Sequence, residues 1–260
     1  MYRNPHRDNL VKAFERFRYR HALLDVYRDF CELAAITISN RVDPRQADAR
    51  EQRYLEIAGK YQPEEMKAFP ELFGELVMAL EVRPADILGA VFMQLELHNA
   101  WKGQFFTPDE ICEAIGRMQI SKPDAIIEQR GFVTVCEPAC GGGAMLFGVA
   151  RAMADAGYSY QRHMHATAID VDITCVHMTY VQLSLLYIPA IVIHGNTLSL
   201  EEWSHWYTPA HCLHGWDSKL RRLTDEVLPE LPVETAAAPE TLLPALEPVL
   251  AGRRGQLALF

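Results

Sequence analysis

Two periods divide the chain. Through residues 1–101, apolar positions recur at helical spacing, as in Leu23, Leu24, Val26, Tyr27, Phe30, Leu33 and Ala34, the signature of amphipathic helices. Breaks fall at Asp43-Pro44, at Gln62-Pro63-Glu64-Glu65 and at Val82-Arg83-Pro84-Ala85-Asp86, with Pro63 suited to a first helical position. A further apolar helix is expected over 87–97. After residue 130 the period changes: β-branched runs at 132–136, 166–170 and 190–194 alternate with helical stretches at 144–156 and 174–187. That alternation predicts a parallel sheet with crossover helices, an α/β core. Past residue 200 the pattern fades. Residues 228–251 are rich in Pro, Ala, Glu and Leu and read as a linker or disordered arm. The expected organisation is a helical domain over 1–101, an α/β domain over 102–227 and a flexible tail over 228–260.

The most informative stretch is Val133-Thr134-Val135-Cys136-Glu137-Pro138-Ala139-Cys140-Gly141-Gly142-Gly143-Ala144-Met145. A strand ends in an acid, enters a glycine loop and opens into a helix. Such a loop lets backbone N–H groups and a helix N-terminus approach a nucleotide-like ligand. Asp170 ends the second strand about 30 residues further on, where an acid can accept both hydroxyls of a ribose. Asp172 is the alternative for that role, or the N-cap of the next helix. Earlier, Gly103-Gln104-Phe105-Phe106-Thr107-Pro108-Asp109-Glu110-Ile111 places Thr107 as N-cap, Pro108 in the first turn and Glu110 in a capping box. A helix is expected from there to about Met118, and the two Phe residues are candidates for a pocket wall.

Composition narrows the class. At 260 residues, 49% hydrophobic and 23% charged, the chain is globular and able to bury a core. No apolar run approaches the ~18–20 residues of a membrane helix, and the opening Met1-Tyr2-Arg3-Asn4-Pro5 does not read as a signal peptide. Six cysteines without a C-x-x-C pair fit reduced thiols and a cytoplasmic location. No metal site is expected, because His205, His211, Cys212 and His214 lack recognised ligand spacing; with Trp203, Trp206, Tyr207 and Trp216 they read as aromatic packing. A formal charge of −9 argues against nucleic-acid binding over the whole surface. The first helix is nonetheless basic, carrying Arg3, Arg7, Lys12, Arg16, Arg18 and Arg20 against Asp8 and Glu15. It is either a phosphate-contacting face or a solvated one.

The central region resembles the N6-adenine DNA methyltransferases, above all the modification subunits of type I restriction systems. Residues 103–108 look like the family's Q-F/Y-F-T-P segment, which contacts the methionine part of S-adenosylmethionine (SAM). Glu137-Pro138-Ala139-Cys140-Gly141-Gly142-Gly143 resembles D-P-A-C-G-T-G with Glu for Asp. Asp170 falls where the family's second acid grips the ribose. Gly195-Asn196-Thr197-Leu198 resembles the G-D-T-L that borders the adenine ring, with Asn for Asp. The resemblance implies a Rossmann-like SAM-dependent methyltransferase core with a shortened sheet, preceded by an all-helical N-terminal domain. The cofactor residues it implies are Phe105, Phe106, Thr107, Pro108, Glu137, Pro138, Ala139, Cys140, Gly141, Gly143, Asp170 and Asn196.

One departure bears on catalysis. The family's D/N/S-P-P-Y/F tetrapeptide, which holds a flipped adenine, does not occur in this sequence. Tyr207-Thr208-Pro209-Ala210 is the nearest string, so catalytic residues stay unassigned. Finally, Gln256-Leu257-Ala258-Leu259-Phe260 resembles the Q-L-x-L-F peptide that docks bacterial replication and repair proteins on the sliding clamp, with Gln256, Leu257, Leu259 and Phe260 as its anchors. The implied activity is adenine-N6 methylation of DNA, in a mobile-element setting and with recruitment to the clamp. The alternative is a non-catalytic SAM-binding relative that binds DNA or a restriction-modification subunit. Partners implied are DNA, the clamp, a second copy or such a subunit, and no membrane.

Overall fold

The computed structural model describes residues 4–97, 107–120, 124–227 and 256–258. The N-terminal half is helical: α1 (Pro5–Glu15), α2 (Leu23–Ser39), α3 (Ala47–Ala58), α4 (Pro63–Met66), α5 (Ala68–Val82), α6 (Ile87–Gln94), α7 (Asp109–Gln119) and α8 (Ala125–Arg130). Local chemistry sets several of these ends. Asn4 caps α1 by accepting from the Arg7 N–H, ahead of Pro5 at the first position, and α8 closes on Gly131 at a positive φ. The α/β half then runs β1 (Val133–Glu137), α9 (Ala144–Asp155), α10 (Tyr160–His163), β2 (Met164–Asp170), α11 (Ile173–Leu185) and β3 (Ala190–Asn196). It continues through β4 (Glu201–Tyr207), α12 (Pro209–Leu213), α13 (Trp216–Val227) and β5 (Gln256–Ala258).

The sheet has the order β4-β3-β2-β1-β5. β1, β2 and β3 run parallel in sequence, so all three carboxyl ends open on the same edge. The expected α/β core is therefore present, with strand bounds within two residues of those expected. β4 departs from the expected fading of pattern. It is an antiparallel strand on β3, with Tyr207 opposite Ile191 and Glu201 opposite Asn196. Its apolar face is narrow: only Trp206 of the seven residues is buried, which is why no alternation shows in the sequence.

Trp206 packs on the α11 side of the sheet, against His177 and Tyr180, with the Arg50 guanidinium of α3 stacked 3.9 Å over its ring. Tyr207 and His165 face the other side, where His211 of α12 and Trp216 of α13 meet them. α2 packs behind α11. One buried apolar cluster runs from Leu10 to Trp206 through helices and sheet alike, so the helical half and the sheet share a core. Four basic residues of the first segment are engaged with acids: Arg7 with Asp8, Arg16 with Glu71, Arg18 with Glu15 and Arg20 with Glu65. These pairings favour a solvated, internally balanced face over a phosphate-contacting one.

One crossing positions the segment before α7. α7 lies across α9 at Gly116 and Gly148, where each backbone touches the other. A Cβ on Gly148 would sit 2.2 Å from the Cys112 carbonyl oxygen, and one on Gly116 would sit 2.4 Å from that of Gly148. Gly148→Ala is expected to lower stability by about 2 kcal/mol, since overpacking outweighs the gain in helix propensity. Chemical denaturation checks this; a variant as stable as the parent would contradict the close crossing.

Candidate cofactor site

The site forms where β1 turns into α9. Glu137 ends β1, and the chain reverses through residues 138–143 with Gly141 and Gly143 at positive φ (52° and 89°). A side chain at either position would strain the turn. The loop is tied to its neighbours on three sides. The Cys140 N–H donates to the Ile169 carbonyl at 2.9 Å, and the Gly141 N–H donates to Asp170 Oδ2 at 2.9 Å. Thr197, just past β3, donates its hydroxyl to the Pro138 carbonyl at 2.7 Å. The carboxyl ends of β1, β2 and β3 are thereby drawn onto one loop.

The structure brings Glu137, Cys140, Gly141, Gly143, Asp170 and the turn after Asn196 together. Asp170 is buried, with Oδ1 accepting the Asp172 N–H at 2.8 Å. A carboxylate offers about four lone-pair positions, so the backbone N–H groups leave acceptor capacity for a ligand hydroxyl. Burial raises its pKa against those hydrogen bonds. Asp172 accepts from the Thr174 N–H at 2.8 Å and is the N-cap of α11; the first acid, not the second, lies on the loop. Asn196 Oδ1 accepts the Leu198 and Ser199 N–H groups, so its side-chain oxygen shapes the turn that carries Thr197 to the loop.

Glu137 is 1% exposed. Oε1 accepts the Ala139 N–H at 3.2 Å, and Oε2 has no hydrogen-bond partner. Burial, with the Asp170 charge adding to it, pushes the Glu137 pKa up to about 7. A buried carboxylate oxygen without a partner is costly. It suits a site where a cationic ligand group arrives to meet it.

The earlier segment closes the other side. Thr107 and Pro108 border a cavity of about 230 Å³, together with Asp86, Arg83 and Ala144 at the start of α9. Pro108, rather than Thr107, occupies the N-cap position of α7, and no side chain caps that helix. The helix starts one residue later than the capping pattern suggested, and its first turn carries ion pairs: Asp109 meets Arg83 and Arg151. Phe105 and Phe106 lie outside the described residues.

Sequence reasoning missed Asp86 and Gln182. Asp86 caps α6, its Oδ1 accepting the Gly89 N–H at 2.7 Å. Gln182 of α11 donates Nε2 both to Asp86 Oδ1 at 3.0 Å and to the Gly142 carbonyl at 2.9 Å, while its Oε1 accepts the Leu88 N–H at 3.0 Å. A Cβ on Gly142 would fall 2.2 Å from Asp86 Oδ2, so the carboxylate lies directly on the loop. Burial lifts the Asp86 pKa to about 6. In the sequence Asp86 stood only as part of a break before an apolar helix; its contact with a loop more than 50 residues away left no local trace.

Residues 85–215 match the family model described as N-6 DNA Methylase. Among solved structures, the chain is similar to a class I S-adenosylmethionine-dependent methyltransferase from Listeria monocytogenes, at 13% identity and a TM-score of 0.39, covering 85% of this chain and 70% of that one. It is also similar to the type I restriction-modification system methyltransferase subunit from Streptococcus thermophilus, at 12% identity and a TM-score of 0.38. That second match covers 76% of this chain and 60% of the other. No curated protein matches.

The Glu137 carboxyl keeps its proton to about pH 7 in the fold, against an ordinary value of 4.5. The native state thus binds more protons than the unfolded chain between those values, so this group's contribution to stability falls as pH rises through that window. Glu137→Gln removes the contribution. The variant should gain stability relative to the parent from pH 4.5 to 7 and hold a constant difference above pH 7. Urea denaturation across that range checks it; a pH-independent difference would contradict the burial argument.

Proposed function

The chain belongs to the N-6 DNA methylase family, and on that footing we propose that it holds SAM at the carboxyl edge of β1–β3 and methylates adenine N6 in DNA. SAM is the family's cofactor and supplies an electrophilic methyl on a sulfonium. One observation carries the assignment: two buried acids, Glu137 and Asp170, flank a glycine loop that β1, β2 and β3 share. In this reading Asp170 accepts the ribose hydroxyls, and its bond to the Gly141 N–H sets the loop at the right height. The unpartnered Glu137 Oε2 would be available to a positively charged group of the cofactor. Thr107 and Pro108 line the adjoining cavity for the amino-acid part, beside the N-terminus of α9. Pro138, Ala139, Cys140, Gly141 and Gly143 form the backbone wall, and Asn196 borders the adenine side. The terminal pentapeptide supports recruitment to a bacterial sliding clamp.

The second reading is a non-catalytic relative that binds SAM and acts on DNA or on a restriction-modification subunit. The position of Tyr207-Thr208-Pro209-Ala210 favours it. Tyr207 lies opposite Ile191, five residues along β3 from Asn196, a distance of roughly 17 Å at strand rise. Thr208 is fully buried, its hydroxyl donating to the Ile188 carbonyl and accepting the Ala190 N–H. The string braces the opposite end of the sheet and cannot hold a base at the cofactor edge.

Tritiated-methyl SAM incubated with the chain and unmethylated DNA separates the two. The proposed activity predicts label in N6-methyladenine. SAM retained by the protein with no label on the DNA would assign the chain to the second reading.

A further inference from the structure

The cavity beside the start of α9 is lined by charged residues of both signs: Arg7, Arg83, Asp86 and Asp109. Arg83 and Asp109 neutralise each other in an ion pair. Arg7 and Asp86 are not matched in this way. Asp86 receives the Gly89 N–H and Gln182 Nε2 on Oδ1, and its buried Oδ2 has no hydrogen-bond partner. Arg7 approaches Asp8 loosely, Nη2 lying 3.7 Å away, and its buried Nε likewise has no hydrogen-bond partner. Among the described residues, Arg7 and Asp86 form no ion pair with each other.

Buried polar atoms without partners are costly, and here one acidic and one basic atom stand apart on the same cavity. That arrangement suits a ligand carrying both charges. We propose that the cavity is a receptor for an α-amino acid group, with the Asp86 carboxylate taking the ligand's ammonium and the Arg7 guanidinium its carboxylate. An ammonium brings three donors to a carboxylate, and the guanidinium fork matches a carboxylate in shape. Ile87, Ala90 and Met93 complete the lining with apolar surface, suited to a short methylene chain. At about 230 Å³ the cavity is smaller than the ~300–1,000 Å³ of a site that encloses a whole ligand. It takes one end of a larger molecule.

The inference deepens the methylation reading and rests on it: the end in question is the methionine end of SAM. Asp86 lies against the glycine loop, since a Cβ on Gly142 would fall 2.2 Å from its Oδ2. The receptor therefore adjoins the loop whose Gly141 N–H is bound by Asp170. Burial lifts the Asp86 pKa to about 6, and an ammonium beside it restores the charge. The helical half thereby gains a duty in the site. Arg7 comes from α1 and Asp86 from the cap of α6, so these two helices select a cofactor whose amino-acid end is complete.

Calorimetric titration of the full chain, Arg7→Gln and Asp86→Asn tests this with two ligands: SAM, and decarboxylated SAM, which keeps the ammonium and the sulfonium but lacks the carboxylate. The parent should bind SAM about ten-fold more tightly than decarboxylated SAM. Arg7→Gln should lose that preference, binding SAM about ten-fold more weakly and decarboxylated SAM as the parent does. Asp86→Asn should weaken both ligands. Asp86 also caps α6, so should that variant fold poorly, the parent and Arg7→Gln still decide the matter. Equal affinity of the parent for the two ligands, or a loss in Arg7→Gln that is the same for both, would overturn the receptor while leaving SAM binding intact. A parent that binds neither ligand would overturn the SAM reading and the receptor with it.

Discussion

A buried amide bridges the two halves of the molecule at the glycine loop. Gln182 sits in the middle of α11 with no exposed surface, where an unpaired polar group would be costly. It finds partners by reaching out of its own helix to the start of α6 and the glycine loop, joining Leu88, Asp86 and Gly142 in one network. Because α11 is the crossover between β2 and β3, the same bond set fixes the helical layer, the loop and the sheet relative to one another. This contact helps to shape the carboxyl edge of the sheet. Asp86 can lie against the loop only because Gly142 has no side chain, and Gly141 can reach Asp170 only because the loop is held there.

Much of this was legible in the residues. The change of period near residue 130, the acid–glycine-loop–helix stretch and Asp170 at a strand end are local signals, and the structure assembles them on one edge. Asp170 was the sequence's choice for the ribose and Asp172 its alternative or a cap; geometry separates them, because Asp172 is spent on the α11 cap. What stayed hidden was non-local. β4 buries a single residue deeply and so shows no alternation. Thr107 has the chemistry of a cap, yet Pro108 takes the N-cap position, and the Asp109 pairs with Arg83 and Arg151 are non-local. Gln182 reads as an ordinary helical polar residue until its partners are known.

The sheet has two ends with different duties. At the carboxyl edge, acids are buried with lone pairs to spare, and the backbone is turned by glycines. At the opposite edge, His211 bridges His165 and Asp217 at 2.9 and 3.0 Å, and Thr208 pins β3 to the start of α12. The aromatic and histidine-rich stretch after residue 200 packs and braces the sheet, and the carboxyl end carries the functional reading. The electrostatics agree. Glu137 and Asp86 are pushed up to about 7 and about 6 by burial, so a positively charged ligand would find two acids whose ionisation it favours.

The central claim is that this edge holds SAM and that Asp170 grips it. Isothermal titration of SAM into the full chain and into Asp170→Ala measures that most directly. The account predicts one site per chain and an affinity at least about ten-fold weaker in the variant, the loss expected for hydrogen bonds to a charged acceptor. Absence of binding to the parent, or equal affinity in the two proteins, would contradict it.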